Sequence, residues 1–111
     1  MPSTYNKPTP VEISVFVESG HVVFRSEAST LYTYDKDEPG KSNCNNACAK
    51  TWPPLAASST ATAIGYWSPI ARADAIMQWA YRGKPVYTYS GDSPGETKGE
   101  GVDGVWHMVK P

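Results

Sequence analysis

The chain has 111 residues and a formal net charge of −1, from 10 lysines and arginines against 11 aspartates and glutamates. This length fits one domain with a real core, and the near-neutral charge argues against a nucleic-acid-binding protein, which normally carries a basic surplus. No run of about 18 apolar residues is present, so no membrane-spanning helix is predicted. Four tryptophans, seven tyrosines and two phenylalanines instead predict a compact, aromatic-rich domain.

Residues 1–10 contain three prolines and no hydrophobic periodicity, so they are predicted to form a flexible N-terminal arm. The start of the chain lacks the charged and apolar regions and the cleavage site of a secretory signal peptide. If the protein is exported, we therefore expect this sequence to represent the mature form. Residues 11–111 are expected to form a single all-β domain.

The first three strands are predicted from alternation of apolar and polar residues. Residues 11–19 and 21–25 are predicted to pair as a hairpin, and residues 31–35 to form the next strand. The first of these strands is expected to place four apolar side chains on one face: Val11, Ile13, Val15 and Val17.

The middle of the chain reads as loop. Residues 36–46 are rich in turn-forming residues, and Ala47 to Lys50 are expected to form a short helical turn. Residues 52–55 are expected to be extended, because each proline restricts the residue before it. A polar loop of small residues follows at 56–63.

The remaining strands are predicted in the last 48 residues. Residues 64–72 suit an edge strand, because Pro69 cannot donate a ladder hydrogen bond. Segments 75–82 and 85–90 flank a predicted turn at Gly83-Lys84, and 105–109 alternates as a last strand. The predicted class is therefore all-β, antiparallel, with six to eight short strands and no long helix.

The sequence contains an internal repeat. Residues 31–42 and 86–97 align without a gap at an offset of 55, with six identities in twelve positions. Phe24 aligns with Trp79 upstream, and Trp52 aligns with Trp106 after a one-residue slip. We interpret the chain as two repeats, about 20–55 and 75–111, that share one domain.

Each repeat carries the same local pattern. A Tyr-x-Tyr pair, Tyr32/Tyr34 or Tyr87/Tyr89, places two rings on one strand face, and an aspartate and a Pro-Gly turn follow. Carboxylates at such positions commonly accept backbone N–H groups. Asp37 and Asp92 are therefore expected to order their loops, although cation binding is an alternative.

Cys44 and Cys48 lie four residues apart. An even cysteine count in a small domain rich in turns favours a disulfide and an oxidising compartment. The alternative is a metal or redox pair. Zinc normally takes four ligands, however, and the chain offers only two histidines in addition.

No catalytic motif emerges, so an enzyme is not predicted. Gly99, Gly101 and Gly104 spell GxGxxG, but no helix follows them, so a dinucleotide site is rejected. Neither histidine belongs to a recognisable nucleophile-and-base arrangement.

Binding is the remaining class of function. His21, His107 and Met108 are ligand types for copper or haem, which keeps a metal- or haem-binding protein in electron transfer or metal handling as an alternative, although no cofactor is predicted. The many aromatic side chains favour core packing, but an exposed aromatic surface for carbohydrate is a second alternative.

These residues resemble a known family. Tyr32-x-Tyr34-x-x-Asp37 and Tyr87-x-Tyr89-x-x-Asp92 are similar to the Tyr-x-aromatic-x-x-Asp motif of a secreted repeat family of predicted bacterial lipoproteins of unknown function. The paired-cysteine loop before Trp-Pro-Pro-Leu and the Gly-x-Trp near the C-terminus extend the resemblance over residues 11–111.

The resemblance implies export to the periplasm or cell surface, which supports the disulfide, but it implies no activity. In one departure, Ala75 stands where the family is expected to have a glycine after Arg72-x-Asp74. A lipidated cysteine is also missing, so anchoring would need a longer precursor. We therefore expect an exported, non-enzymatic binding or envelope-associated module whose partner is an envelope component or another protein. Its expected binding or structural residues are those of the repeat motif: Tyr32, Tyr34, Asp37, Tyr87, Tyr89, Asp92, Trp52 and Trp106.

Overall fold

The computed structural model describes residues 6–18 and 21–110 of the chain. These residues form antiparallel strands in two sheets, with one short helix, α1 (Ala47–Thr51), and a 3-10 turn (Val102–Gly104). The predicted all-β class and the helical turn beside the cysteines are both confirmed. The strands are β1 (Ser14–Glu18), β2 (His21–Ser26), β3 (Ser29–Thr30), β4 (Tyr32–Tyr34), β5 (Trp67–Ala71), β6 (Met77–Tyr81), β7 (Lys84–Tyr87) and β8 (Trp106–Met108).

The smaller sheet has the strand order β1-β2-β3, and the larger has the order β5-β6-β7-β4-β8. β5 is an edge strand, as Pro69 predicts, and Pro69 pairs with Trp79 of β6. None of the helices in these residues has the length and apolar character needed to cross a membrane.

The strand register relates the two repeats by an approximate two-fold rotation. Tyr32 of β4 pairs with Tyr87 of β7 in antiparallel register, so equivalent residues of the two repeats lie opposite each other. The β2–β3 pairing of Arg25 with Thr30 also recurs 55 residues later, as Ala80 with Pro85.

A proline-rich segment replaces one strand of this symmetric arrangement. The Val109 N–H donates to the Leu31 carbonyl at 3.0 Å beside β8, and the Leu55 N–H donates to the Val86 carbonyl at 2.9 Å at the equivalent place. Residues 53–56 therefore run beside β7 as the C-terminal segment runs beside β4. Pro53 and Pro54 cannot donate ladder hydrogen bonds, which explains why the pairing remains partial.

Two apolar clusters follow from strand alternation, since successive side chains point to opposite faces. The larger cluster contains Leu31 and Val86, and their neighbours Tyr32 and Tyr87 lie in the other. The larger cluster draws on both sheets and consists of Ile13, Phe24, Leu31, Leu55, Trp67, Trp79, Tyr81, Val86 and Val109.

Two details of the predicted hairpins are wrong. The turn between β6 and β7 is centred on Arg82 and Gly83, at φ of 50° and 82°, one residue before the predicted position. Val11 lies in a turn and is fully exposed, because β1 begins only at Ser14. Val15 lies within β1, yet its side chain is also exposed. Of the four expected apolar positions, Ile13 is buried, whereas the side chain of Val17 lies outside the described residues.

Ala75 adopts the backbone conformation that a glycine would adopt more easily. Its φ is +66°, its N–H donates to the Arg72 carbonyl at 3.0 Å, and the Arg72 N–H donates to the Ile76 carbonyl at 3.0 Å. A Cβ destabilises this left-handed conformation by roughly 1–2 kcal/mol. The turn is therefore formed despite the alanine.

We expect Ala75→Gly to raise the free energy of unfolding by about 1 kcal/mol, because it removes this steric cost. Urea unfolding followed by tryptophan fluorescence measures the change. Ala73→Gly, in the same turn but without a positive φ, is the matched control and should be neutral or destabilising. Equal effects of the two substitutions would contradict the strain at Ala75.

Candidate functional site

The first tyrosine of each Tyr-x-Tyr pair donates a hydrogen bond to the motif aspartate of the other repeat. The Tyr32 hydroxyl donates to Asp92 Oδ2 at 2.5 Å, and the Tyr87 hydroxyl donates to Asp37 Oδ2 at 2.7 Å. Both tyrosine side chains are fully buried. These four positions of the sequence repeat therefore meet in two reciprocal pairs across the approximate two-fold axis.

Each aspartate also closes its own loop. Asp37 Oδ1 accepts the Asn43 N–H at 2.6 Å, and Asp92 Oδ1 accepts the Lys98 N–H at 2.8 Å, six residues downstream in both repeats. The two carboxylates thus hold loops and tyrosines at once. Their oxygens are occupied by protein donors, and the arrangement accounts for them without a bound cation.

The buried setting keeps the tyrosines protonated. Burial raises the pKa of Tyr32 well above its ordinary value, and the hydrogen bond to the Asp92 carboxylate raises it further. Burial likewise raises the pKa of Tyr87. Burial also raises the pKa of the Asp37 carboxyl, although the donors Asn43 and Tyr87 oppose that rise.

Four aromatic rings stack in one column across the same axis. Tyr89 stacks on Trp52 with ring centroids 4.2 Å apart, Trp52 on Trp106 at 3.8 Å, and Trp106 on Tyr34 at 4.2 Å. Tyr32 and Tyr87 contact the two tryptophans edge-on, at 5.5 and 5.2 Å. All eight motif residues therefore belong to one cluster, whose middle is apolar and closed to solvent.

The four tryptophans are all buried, at no more than 4% exposure. The tryptophans therefore provide no exposed surface for the carbohydrate binding that the sequence left as a second alternative. Stacking of a sugar needs an accessible ring face, and the faces of Trp52 and Trp106 are covered by each other and by Tyr89 and Tyr34.

The repeats differ where the cysteine loop lies. Cys44 is buried and forms a disulfide with Cys48, which confirms the predicted bridge. Gly99 stands at the equivalent place in the second repeat, and its N–H donates to the Tyr32 hydroxyl at 3.2 Å. A Cβ on Gly99 would lie 2.7 Å from Tyr32 Cζ, so no side chain fits there. Close packing, rather than phosphate binding, accounts for this glycine of the GxGxxG pattern.

Arg72, which directly follows β5, holds the cysteine loop of the first repeat. Its side chain is fully buried and donates to Ser42 Oγ at 2.9 Å, the Cys44 carbonyl at 2.9 Å and Gln78 Oε1 at 3.0 Å, while Nε pairs with Asp74 at 3.2 Å. A buried charge needs such partners to offset its desolvation. Nothing in the spacing of the sequence links Arg72 to a loop 28 residues away.

A groove of about 590 Å³ opens on the sheet face beside Thr33, on the side opposite the tyrosine pairs. Charged side chains from four segments of the chain line it, together with the apolar edge formed by Met108 and Val109. The lining residues that are charged, together with the histidine, are Asp35, Arg82, Lys84, Glu100, His107 and Lys110. Sequence reasoning missed this groove, because its members are distant in sequence and share no motif.

His107 lies between two carboxylates in the groove. Its Nε2 contacts Asp35 Oδ2 at 2.8 Å, and its Nδ1 contacts Glu100 Oε2 at 3.3 Å. The two carboxylates sit on different ring nitrogens and therefore do not converge on one ligand position with the imidazole. Among the described side chains, no group of three or more His, Cys, Asp or Glu residues is placed to hold a metal ion. The side chain of His21, another candidate ligand of the metal- or haem-binding alternative, lies outside the described residues.

The Tyr32–Asp92 pair is expected to stabilise the fold through a coupling that a double-mutant cycle detects. Tyr32→Phe and Asp92→Asn should each destabilise by about 1–3 kcal/mol, with a coupling of about 1 kcal/mol or more, because each leaves the other buried group without its partner. Urea unfolding gives the values. Tyr34→Phe removes a hydroxyl that has no hydrogen-bond partner among the described residues, and should cost much less. Additive effects of the two main substitutions would contradict the coupling.

His107 is expected to titrate above the ordinary histidine value. The hydrogen bond to Asp35 raises the pKa of His107 most, and the contact with Glu100 adds to it. Because the folded pKa is raised, the stabilisation is complete below about pH 6.5 and is lost as the pH rises through the folded pKa. NMR titration should show this pKa falling in Asp35→Asn and falling less in Glu100→Gln. An unchanged His107 pKa in Asp35→Asn would contradict the ion pair.

Comparison with known proteins supplies the family. A family model described as a secreted repeat of unknown function matches residues 15–56 and 68–110, one copy for each repeat. These segments include β1 and β5 as well as the tyrosine motifs. No curated protein and no solved structure matches the chain. Both copies together cover most of the sequence, and the chain belongs to this family of secreted repeats of unknown function.

Proposed function

We propose that the protein is an exported, non-enzymatic binding module that acts in the periplasm or at the cell surface, and that the groove beside Thr33 is its binding surface. The observation that carries the proposal is an asymmetry. The buried cluster of the two repeats obeys the two-fold relation, whereas the groove does not.

The asymmetry is seen when five polar residues of the groove are compared with their equivalents in the other repeat. The positions equivalent to Asp35, Arg82, Lys84, His107 and Lys110 hold Ser90, Glu27, Ser29, Pro53 and Ala56. The scaffold therefore forms its strands and turns in one repeat without the charges present in the other. Charges that a fold does not need, gathered along one concave surface, are typical of a binding site.

The groove chemistry favours binding over catalysis. Both ring nitrogens of His107 contact carboxylates, so neither is left to accept a proton from a substrate. Neither a serine nor a cysteine is found among the lining residues, and the two cysteines of the chain are joined to each other.

Export is supported by the disulfide and by the family. Disulfides persist in oxidising compartments and are rare in the cytosol. The repeat family is described as secreted. Location in the periplasm or at the cell surface, and an anchor on a longer precursor, belong to the proposal.

The repeat symmetry supplies a matched test. Amide chemical shifts of the intact, disulfide-bonded protein are mapped during titration with peptidoglycan fragments, neutral and acidic oligosaccharides and short peptides. We expect shifts centred on Thr33, Lys84 and His107, and probe spectra that do not change with time. Thr33→Tyr should fill the groove and weaken binding roughly tenfold, while Thr88→Tyr at the equivalent position should not. Shifts centred elsewhere, or turnover of a probe, would count against the proposal.

A further inference from the structure

Among the residues that the structure describes, the three cations of the groove have no carboxylate partner. Within the described ranges, no aspartate or glutamate forms an ion pair with Arg82, Lys84 or Lys110, although three other basic residues do so: Lys41, Arg72 and Lys98. The two acidic lining residues, Asp35 and Glu100, are instead engaged by His107.

The neighbouring acidic groups are occupied as well. A second groove of about 320 Å³ adjoins the first and includes Asp37 and Glu38 in its lining. Asp37 accepts hydrogen bonds from Tyr87 and Asn43, and Glu38 pairs with Lys41 at 3.6 Å. Because the acidic residues of both grooves already have partners, the charges available to a ligand are positive.

Arg82 is held in position for such a contact. Its guanidinium lies 3.9 Å from the centre of the Tyr66 ring, and its Nε donates to the Tyr81 hydroxyl at 3.4 Å. Its backbone N–H also donates to the Tyr66 carbonyl at 2.8 Å. A guanidinium stacked on Tyr66 and bonded through Nε to Tyr81 is held in place, so it loses little conformational freedom when it binds a planar oxyanion.

We propose that the groove binds an oxyanion, either a carboxylate or a phosphate, on a ligand of oligosaccharide or smaller size, with Arg82 as the anchor and Lys84 and Lys110 beside it. This inference rests on the proposed binding function. Guanidinium groups form paired, charge-assisted hydrogen bonds with both kinds of oxyanion. A groove of about 590 Å³ lies within the range of small-molecule sites.

The test uses three probes on the intact, disulfide-bonded protein at constant ionic strength, since salt screens exposed charges. They are inorganic phosphate, a trimer of galacturonic acid, and the methyl ester of that trimer, which has the same sugar backbone but no charge. NMR follows the Arg82 Nε–H resonance and the groove amides. We expect phosphate, the acidic trimer or both to shift these signals, and the ester to bind at least about tenfold more weakly.

Variants matched in net charge distinguish binding in the groove from nonspecific electrostatic attraction to the protein. Lys84→Gln combined with Lys110→Gln should weaken binding about tenfold. Lys50→Gln combined with Lys98→Gln makes the same change in net charge on exposed residues outside the groove, and should have little effect.

The outcomes distinguish the two proposals. Binding of phosphate alone identifies a small oxyanion, and binding of the acidic trimer alone identifies a carboxylate-bearing glycan. Binding of the ester in the groove as tightly as the acid overturns the oxyanion proposal and leaves the binding function intact. Equal losses in the two double variants, or no shift with either anion, also overturn it.

Discussion

The reciprocal bonding of two buried tyrosines to two aspartates is the constraint on which the rest of the structure depends. The Tyr32 hydroxyl donates to Asp92 of the second repeat, and the Tyr87 hydroxyl donates to Asp37 of the first. Neither repeat supplies the carboxylate that accepts its own tyrosine hydroxyl. A buried hydroxyl without a hydrogen-bond partner costs about 1–3 kcal/mol, so each repeat needs the other. The stacked column of rings closes the same junction, and the two repeats therefore share one fold.

This symmetric junction leaves the periphery free to differ. One repeat carries the Cys44–Cys48 bridge, and Arg72, which directly follows β5, holds that loop. The equivalent place is filled by Gly99, which packs directly against Tyr32. The groove differs in the same way, because none of its three cations has a basic residue at the equivalent position of the other repeat: Glu27, Ser29 and Ala56 stand there. Function follows from such local differences, since a shared scaffold by itself specifies no activity.

The groove also shows how a neutral protein can present one sign of charge. His107 contacts both carboxylates of the groove, Asp35 and Glu100, and within the described part of the chain no aspartate or glutamate pairs with Arg82, Lys84 or Lys110. The formal charge of −1 for the chain conveys nothing of this arrangement. Local electrostatics depends on which side chains are paired, and pairing is decided by the fold.

The sequence by itself determined the all-β class, the duplication, the helical turn and the Cys44–Cys48 pair, because these depend on alternation, turn residues and contacts close in the chain. Sequence reasoning placed the β6–β7 turn one residue late, since Arg82 accepts a positive φ that favours glycine. Only the tertiary structure decided that Tyr32 meets Asp92, that the tryptophans are buried and that His107 meets Asp35. Those contacts join residues 60 and 72 positions apart in the tyrosine and histidine pairs. They exist because β4 pairs with β7 and β8, a long-range choice of register that local patterns do not specify.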